Sequence, residues 1–507
     1  MTHQPSRRNF LKTAAVASVG YWFFAGLTPK VSASPNERVA FAGIGAGARV
    51  QGDHPASGKG ESDIRNAARF GDVVALCDVD KRRLAAVGAQ YPRAKLYTDY
   101  RRLFDEQEKS IDAATISTPD HMHAPQALMA MRMKKHVFIQ KPLARTLYES
   151  QLIVKVAKEM GVCTQMGNQG SANDNVRRDA VEMAAGVYGD IKEVHVWTDR
   201  PGTWWPHGPD TIKTMRAYEE KVRRENPTEA ASRIAAMRER TAERIAGLDW
   251  DLWLGVAKNR EFFPGEERDI YHIFGWRGWW DFGTGPMGDM ACHLINQHMK
   301  ALDLSSCESI VAWSSGHDFD AFPSASEIVF EYPDTPTRKG FKFVWYDGGR
   351  LPDREYLAAH GFSNFDNIRP SDSLIIGTDG IKGLGHDVRK ADVVVPEVEF
   401  ARRYPDPDGS IPERQNADIR HMFEFVSAIK ENKPELCFSN APDQSGPFSE
   451  AQALGNIALW TASKPNEWGE KILWDATSRQ ITNLASLQTP GIAELIKPVY
   501  PQGYTLD

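Results

Sequence analysis

A doubly wound, parallel α/β domain followed by an α+β domain with an open, mostly antiparallel sheet is the architecture this sequence predicts. Three observations carry that expectation. Between Arg38 and Met166, short apolar runs alternate with stretches of helical periodicity. The unusual polar motifs of that stretch all follow an apolar run, at the edge where open parallel sheets bind ligands. Beyond Ile191, strand-like runs recur without regular helices between the later ones, which suits antiparallel pairing.

The chain has 507 residues, too many for one compact core, and ~150 residues per domain suggests two to four domains. Its 41% apolar and 25% charged residues are an ordinary globular balance. A formal charge of -6 leaves no basic field for gripping nucleic acid. Five scattered cysteines (Cys77, Cys163, Cys292, Cys307 and Cys437) form neither a disulfide framework nor a CxxC site, and no metal is expected.

Residues 1–33 read as a twin-arginine signal peptide. Ser6-Arg7-Arg8-Asn9-Phe10-Leu11-Lys12 fits the export pattern throughout. The apolar run from Ala14 to Leu27 is too short to span a bilayer, and Val31-Ser32-Ala33 offers small residues for cleavage. A periplasmic or otherwise exported protein follows, with the export machinery as a partner and no membrane span. Cleavage would remove four basic residues and no acid, lowering the charge from -6 by four. An anionic surface suits neutral or cationic ligands.

The first expected domain, 34–170, opens with the strand Arg38–Ala42 and the turn Gly43-Ile44-Gly45-Ala46-Gly47-Ala48. Gly43 suits a tight turn, Gly45 a close approach to a pyrophosphate, and Ala48 close helix packing. A second strand, Asp72–Asp80, carries Asp78, whose carboxylate suits an adenosine ribose and favours NAD over NADP. Lys81, Arg82 and Arg83 follow it, so NADP is not excluded, and a helix-capping role for Asp78 is the competing expectation. Asp78 comes late, which makes Gly52–Ser62 an insertion. Then come a helix at Leu84–Gln90, a strand at Ala113–Ser117, a helix at Ala127–Met133 and a strand at His136–Gln140. A helix at Leu147–Met160 and a last strand at Val162–Met166 complete the alternation.

Two groups suggest chemistry. Lys141 stands at a strand end, followed by Pro142, where an ammonium can hold a reacting hydroxyl. Asp289 and His293 are four apart after a glycine-rich loop, so they share one helix face, and the acid is positioned to orient the imidazole. The competing expectation is a capped helix start with a core histidine.

Gly43-x-Gly45-x-x-Ala48, Thr118-Pro119-Asp120-x-x-His123, Gln140-Lys141-Pro142 and Asp289-x-x-x-His293 stand in the order found in the Gfo/Idh/MocA oxidoreductase family, which the chain resembles over most of its length beyond the signal. The resemblance implies a Rossmann domain, with Lys141, Asp289 and His293 as the catalytic group. It implies a dinucleotide, NAD or NADP, bound through Gly43, Gly45, Ala48, Asp78, Thr118, Pro119, His123, Gln140, Lys141 and Asn168. It also implies association of copies through the open sheet, and a late helix, Phe448–Trp460, returning to the nucleotide domain. Two positions depart from the pattern: Gln140 replaces a glutamate and Asp120 stands where asparagine is frequent.

The second expected domain, 171–445, has strand-like runs at Ile191–Trp197, Ile310–Trp313, Glu327–Phe330 and Phe341–Trp345, with 446–507 as a C-terminal helix and tail. Its insertion, 200–282, includes a charged helix, Ala230–Ala246, and holds seven of the 14 tryptophans. Such rings stack on sugar faces, or else build the insertion's own core or a subunit contact, and for any one of them the latter is favoured. Arg277 and Trp280 are the expected substrate contacts, because Trp276–Asp281 runs straight into the Asp289 loop; Asp281 and His207 are further hydrogen-bonding candidates. The expected activity is hydride transfer between a sugar or glycoside hydroxyl and a tightly bound nicotinamide. The alternatives are a glycosidase or lyase working through transient oxidation, and a non-catalytic binding protein.

Overall fold

Val39–Ile44 (β1) is buried at nearly every position, as a central strand covered on both faces requires. The computed structural model describes residues 38–50, 53, 57–205, 211–265, 270–362, 365, 368–390, 392–397 and 416–506; the expected signal at 1–33 and His207 lie outside them. After β1 come α1 (Lys59–Phe70), β2 (Gly71–Cys77), α2 (Lys81–Gly88), β3 (Lys95–Tyr97) and α3 (Tyr100–Gln107). They are followed by β4 (Ala113–Ile116), α4 (His123–Arg132), β5 (His136–Gln140), α5 (Leu147–Met160) and β6 (Thr164–Gly167). The six strands are parallel in the order β3-β2-β1-β4-β5-β6. That order reverses between β1 and β4, opening a crevice at their carboxyl ends. Strand β3 was not expected; three residues are too short to display a period.

Local signals fix several boundaries. Asp80 caps α2 by accepting from Arg82 N, so Asp78 is not the cap. Helix α5 starts with a reciprocal cap between Thr146 and Glu149 and ends at Gly161 with φ 64°.

The second half contains α6 (Asp174–Ala184), β7 (Ile191–Thr198), α7 (Met215–Glu225), α8 (Ala230–Ile245), α9 (Trp250–Leu254), α10 (Gly285–Leu294) and α11 (Asn296–Leu302). Then follow β8 (Ser309–Ser314), β9 (Ser326–Tyr332), β10 (Phe341–Tyr346), α12 (Arg354–Ala359), β11 (Ser371–Gly377), β12 (Ile381–Gly383) and β13 (His386–Val388). The chain closes with α13 (Ala417–Glu431), α14 (Gly446–Thr461), β14 (Ile472–Asp475), β15 (Gln480–Ile481) and α15 (Ile492–Ile496). A nine-stranded open sheet runs β13-β12-β11-β7-β10-β9-β8-β14-β15, antiparallel except between β7 and β10. Strand β9 alternates buried and half-buried residues, the mark of a sheet with one face on the core. Helix α14, buried on nearly all sides, packs against that sheet and against α5, as expected of the late helix.

The tryptophan-rich insertion has its own core, where Trp253, Trp276 and Trp279 pack with Phe262, Phe263, Tyr271 and Phe282. It is also tied to the loop between β2 and α2. Lys81 N donates to Gly247 O at 2.7 Å and Asp249 N to Val79 O at 2.9 Å. The insertion therefore forms one wall of the crevice, contributing Leu252 and Trp253.

Candidate active site

The glycine turn after β1 brings backbone against backbone. Gly45 has φ +71°, and a Cβ there would lie 2.8 Å from the Ser117 carbonyl carbon. Gly45 N and Ala46 N both donate to Cys77 O, while Gly47 N donates to Asp78 Oδ2 at 2.8 Å. Asp78 Oδ1 accepts from Asp80 N at 2.9 Å, and burial raises its carboxyl above the usual range.

The helix after the turn begins at Lys59, and this corrects the close packing role given to Ala48. Ala48 is buried away from the crevice and its carbonyl accepts from Arg83. Gly60 makes the close helix approach instead: an added Cβ would collide with Gly45 O. Gly43 likewise backs the crevice, packed under Ile64 and Leu76. The basic residues after Asp78 are largely committed. Arg82 is held by Asp80, and Arg83 by Asp53 at 2.5 Å.

Gly45, Gly47, Lys59, Gly60, Asp78, Thr118, Pro119, Gln140 and Lys141 all line a cavity of ≈ 530 Å³. Asp289, His293 and Arg277 of the second half line the same cavity. That volume lies within the range of small-molecule and cofactor sites. Backbone N–H groups at a helix start, a glycine turn that permits close approach and a carboxylate at the next strand end together fit a dinucleotide.

Lys141 Nζ donates to Asp289 Oδ1 at 2.6 Å and to Asp289 O at 2.7 Å. Arg277 Nε donates to the same Oδ1 at 3.1 Å, and Arg200 Nη1 to Oδ2 at 3.0 Å. Burial works to raise the Asp289 carboxyl, but Lys141, then Arg277 and Arg200, hold it well below the usual range. These three cations correct the expected Asp289–His293 couple. They outcompete a neutral imidazole for the carboxylate, and no hydrogen bond joins the two residues. His293 opens onto the cavity with no hydrogen-bond partner among the described residues. Desolvation in the cavity wall, then the Lys141 charge, holds its ring below the usual imidazole range, so it is neutral at physiological pH. Asp120 accepts from Thr284 Oγ1 at 2.6 Å, and burial pushes its carboxyl up to about 7.

Three further expected contacts do not face the cavity. His123 is fully buried, with Nδ1 2.7 Å from Pro142 O and Nε2 2.9 Å from Thr118 O. It holds two cavity-lining loops together. Asn168 is buried and donates to Asn296 Oδ1 at 2.8 Å, while its neighbours Gly167 and Gln169 do line the cavity. Trp280 is core: it stacks on Phe322 at 3.6 Å between ring centres and donates to Ala321 O. Buried among Phe322, Trp460 and His317, its ring has no exposed face for a sugar. Asp281 is likewise taken, by Arg260. Sequence reasoning missed Arg200, Lys59 and Trp204 as cavity residues. Arg200 lies just past β7, a strand-end position that offered a signal.

Two family models match this arrangement. Residues 38–168 match an oxidoreductase family's NAD-binding Rossmann fold, and residues 237–355 the C-terminal alpha/beta domain of the same family. Over these two stretches the chain matches the Gfo/Idh/MocA family. Among family relatives, 116 residues are 33% identical to the 1,5-anhydro-D-fructose reductase of Ensifer adhaerens, covering 22% of this chain and 34% of that protein. A stretch of 223 residues is 27% identical to a glycosyl hydrolase family 109 protein of Shewanella baltica, covering 37% and 45%. The chain thus spans less than half of these relatives. The solved structure of an Azotobacter vinelandii inositol dehydrogenase homolog complexed with NAD+ shares the fold, with a TM-score of 0.50 at 15% identity over 85% of this chain and 97% of that one.

Proposed function

We propose that this chain is an exported oxidoreductase that transfers hydride between a sugar or glycoside hydroxyl and a tightly held NAD. One observation carries the reading: Lys141 and the distant pair Asp289 and His293 line the same cavity as the glycine turn. The N–H groups at the start of α1, Lys59 and Gly60, would hold the pyrophosphate, which the glycine turn lets approach closely, and Asp78 the adenosine ribose. The commitment of Arg82 and Arg83 to Asp80 and Asp53 supports NAD over NADP. When bound, the nicotinamide supplies the hydride acceptor.

The protein's part is to handle a proton and a developing charge. His293, neutral and without a competing partner, accepts the hydroxyl proton. Lys141, fixed by Asp289, donates a hydrogen bond to the oxygen as it becomes a carbonyl. Asp289 positions Lys141 rather than the imidazole. Export rests on the sequence of residues 1–33 alone. Outside the cytoplasm no dinucleotide pool is available, so the cofactor must travel with the protein. The ties between the insertion and the β2–α2 loop support such retention. Purified protein should release about one NAD(H) per chain on denaturation, and added glycosides should change nicotinamide absorbance. Active protein free of nucleotide would overturn the reading.

The match to the family 109 glycosyl hydrolase favours a second reading, in which transient oxidation lets a glycosidic bond be eliminated with no net redox change. Product masses separate the two: an oxidised sugar with lasting NADH, or a cleaved glycoside without it.

A further inference from the structure

We propose, resting on the oxidoreductase reading, that the substrate is a sugar acid whose carboxylate is held by Arg200 and Arg277. The chain as a whole is anionic at -6, yet its reaction chamber is not. Lys141, Arg200 and Arg277 converge there on one carboxylate, Asp289, leaving two positive charges in excess. His293 adds none while neutral. Asp120, buried in the cavity wall and accepting from Thr284 Oγ1, offsets this only in part.

Neither arginine is saturated. Arg200 commits Nη1 to Asp289, and Arg277 commits Nε to Asp289 and Nη1 to Phe274 O. The Nη2 groups of both have no partner among the described residues. Both guanidinium planes are held against rings, Arg200 at 3.4 Å over Trp204 and Arg277 at 4.1 Å and 4.3 Å over Phe274 and Trp276. A planar fork fixed by stacking and free along one edge is suited to bidentate carboxylate recognition. Burial depresses the Arg200 guanidinium despite Asp289 beside it, so a further anion would relieve that cation. A neutral polyol would leave the excess charge uncompensated. The cofactor's pyrophosphate has its own donors at the start of α1. The arginines hang from the other half of the chain, around the residue that holds Lys141.

Calorimetry on the NAD-loaded protein with D-glucuronate, D-glucose and D-glucose 6-phosphate tests this. Glucuronate should bind at least ten-fold more tightly than either of the others, and added salt should narrow the gap. Arg200→Gln should cut the glucuronate-to-glucose ratio at least five-fold, and Arg200→Lys, which keeps the charge without the fork, should fall between. Equal affinity for glucose and glucuronate, preference for the phosphate, no binding at all, or equal loss for both sugars in Arg200→Gln would each overturn the proposal. Glucose oxidation with no preference for the acid would sink it while sparing the oxidoreductase reading. Tight glucuronate binding with no nicotinamide response to any sugar would do the reverse.

Discussion

The Gln140 amide donates to Asp63 Oδ2 at 2.7 Å, joining the end of β5 to helix α1. Ser117 Oγ donates to the same oxygen at 2.9 Å, and Lys59 Nζ lies 3.6 Å from Oδ1. The charge that the sequence lacks at position 140 is thus present as a buried carboxylate reached through an amide. Burial raises the Asp63 carboxyl, so a second carboxylate has no place beside it.

Gln140→Glu should therefore destabilise the fold by about 1–3 kcal/mol, because two buried acids would share one site. Denaturant melts measure the loss. Adding Asp63→Asn, which reverses the pair, should recover most of it; a double variant no more stable than Gln140→Glu would contradict the coupling.

Lys141→Met and His293→Ala should each lower kcat/KM by roughly 10²–10⁴-fold, the range for a positioned acid–base group. Bound nucleotide, released on denaturation, should stay within two-fold for His293→Ala. Unchanged turnover in either variant would point to a non-catalytic binding protein.

Asp120 gives a pH signature in stability. Its folded carboxyl titrates near 7, above the unfolded value, so the folded state holds the proton more strongly. The stability it contributes is complete below the unfolded pKa and declines as pH rises toward 7, by about 1.4 kcal/mol per unit. Asp120→Asn should melt higher than the parent at pH 8 and lose that advantage near pH 4. Parallel melting curves across this window would refute the assignment.

Gly60→Ala puts a methyl against Gly45 O and should push α1 off the turn. The expected result is nucleotide content well below half, with a folded far-UV spectrum. Gly161→Ala, at a left-handed helix end with open space around it, is the control: strain without loss of nucleotide.

Trp280→Phe removes an indole donor from Ala321 O but keeps a ring on Phe322. Stability should fall by about 1–3 kcal/mol, the cost of an unmet buried acceptor and a small void. KM should not move, since Trp280 does not line the cavity. A large KM change with an unaltered melt would restore the substrate contact expected from sequence.

By itself, the sequence determined the two sheets and the glycine turn, while the meeting of Lys141 with Asp289 and His293 was implied only by the family resemblance. Period, strand-end motifs and spacing are local properties, and each acts over a few residues. Leu147–Met160 is a helix because of its cap, its period and its closing glycine, all written in one stretch. What each side chain faces was decided only in three dimensions. Trp280 and Arg277 are three residues apart, yet one is locked between Phe322 and Trp460 while the other reaches Asp289. Asp289 could not be assigned to Lys141 rather than His293 until Arg200 and Arg277 were seen beside it. Competition among charges depends on distance in space, and the chain closes those distances only when its two halves pack.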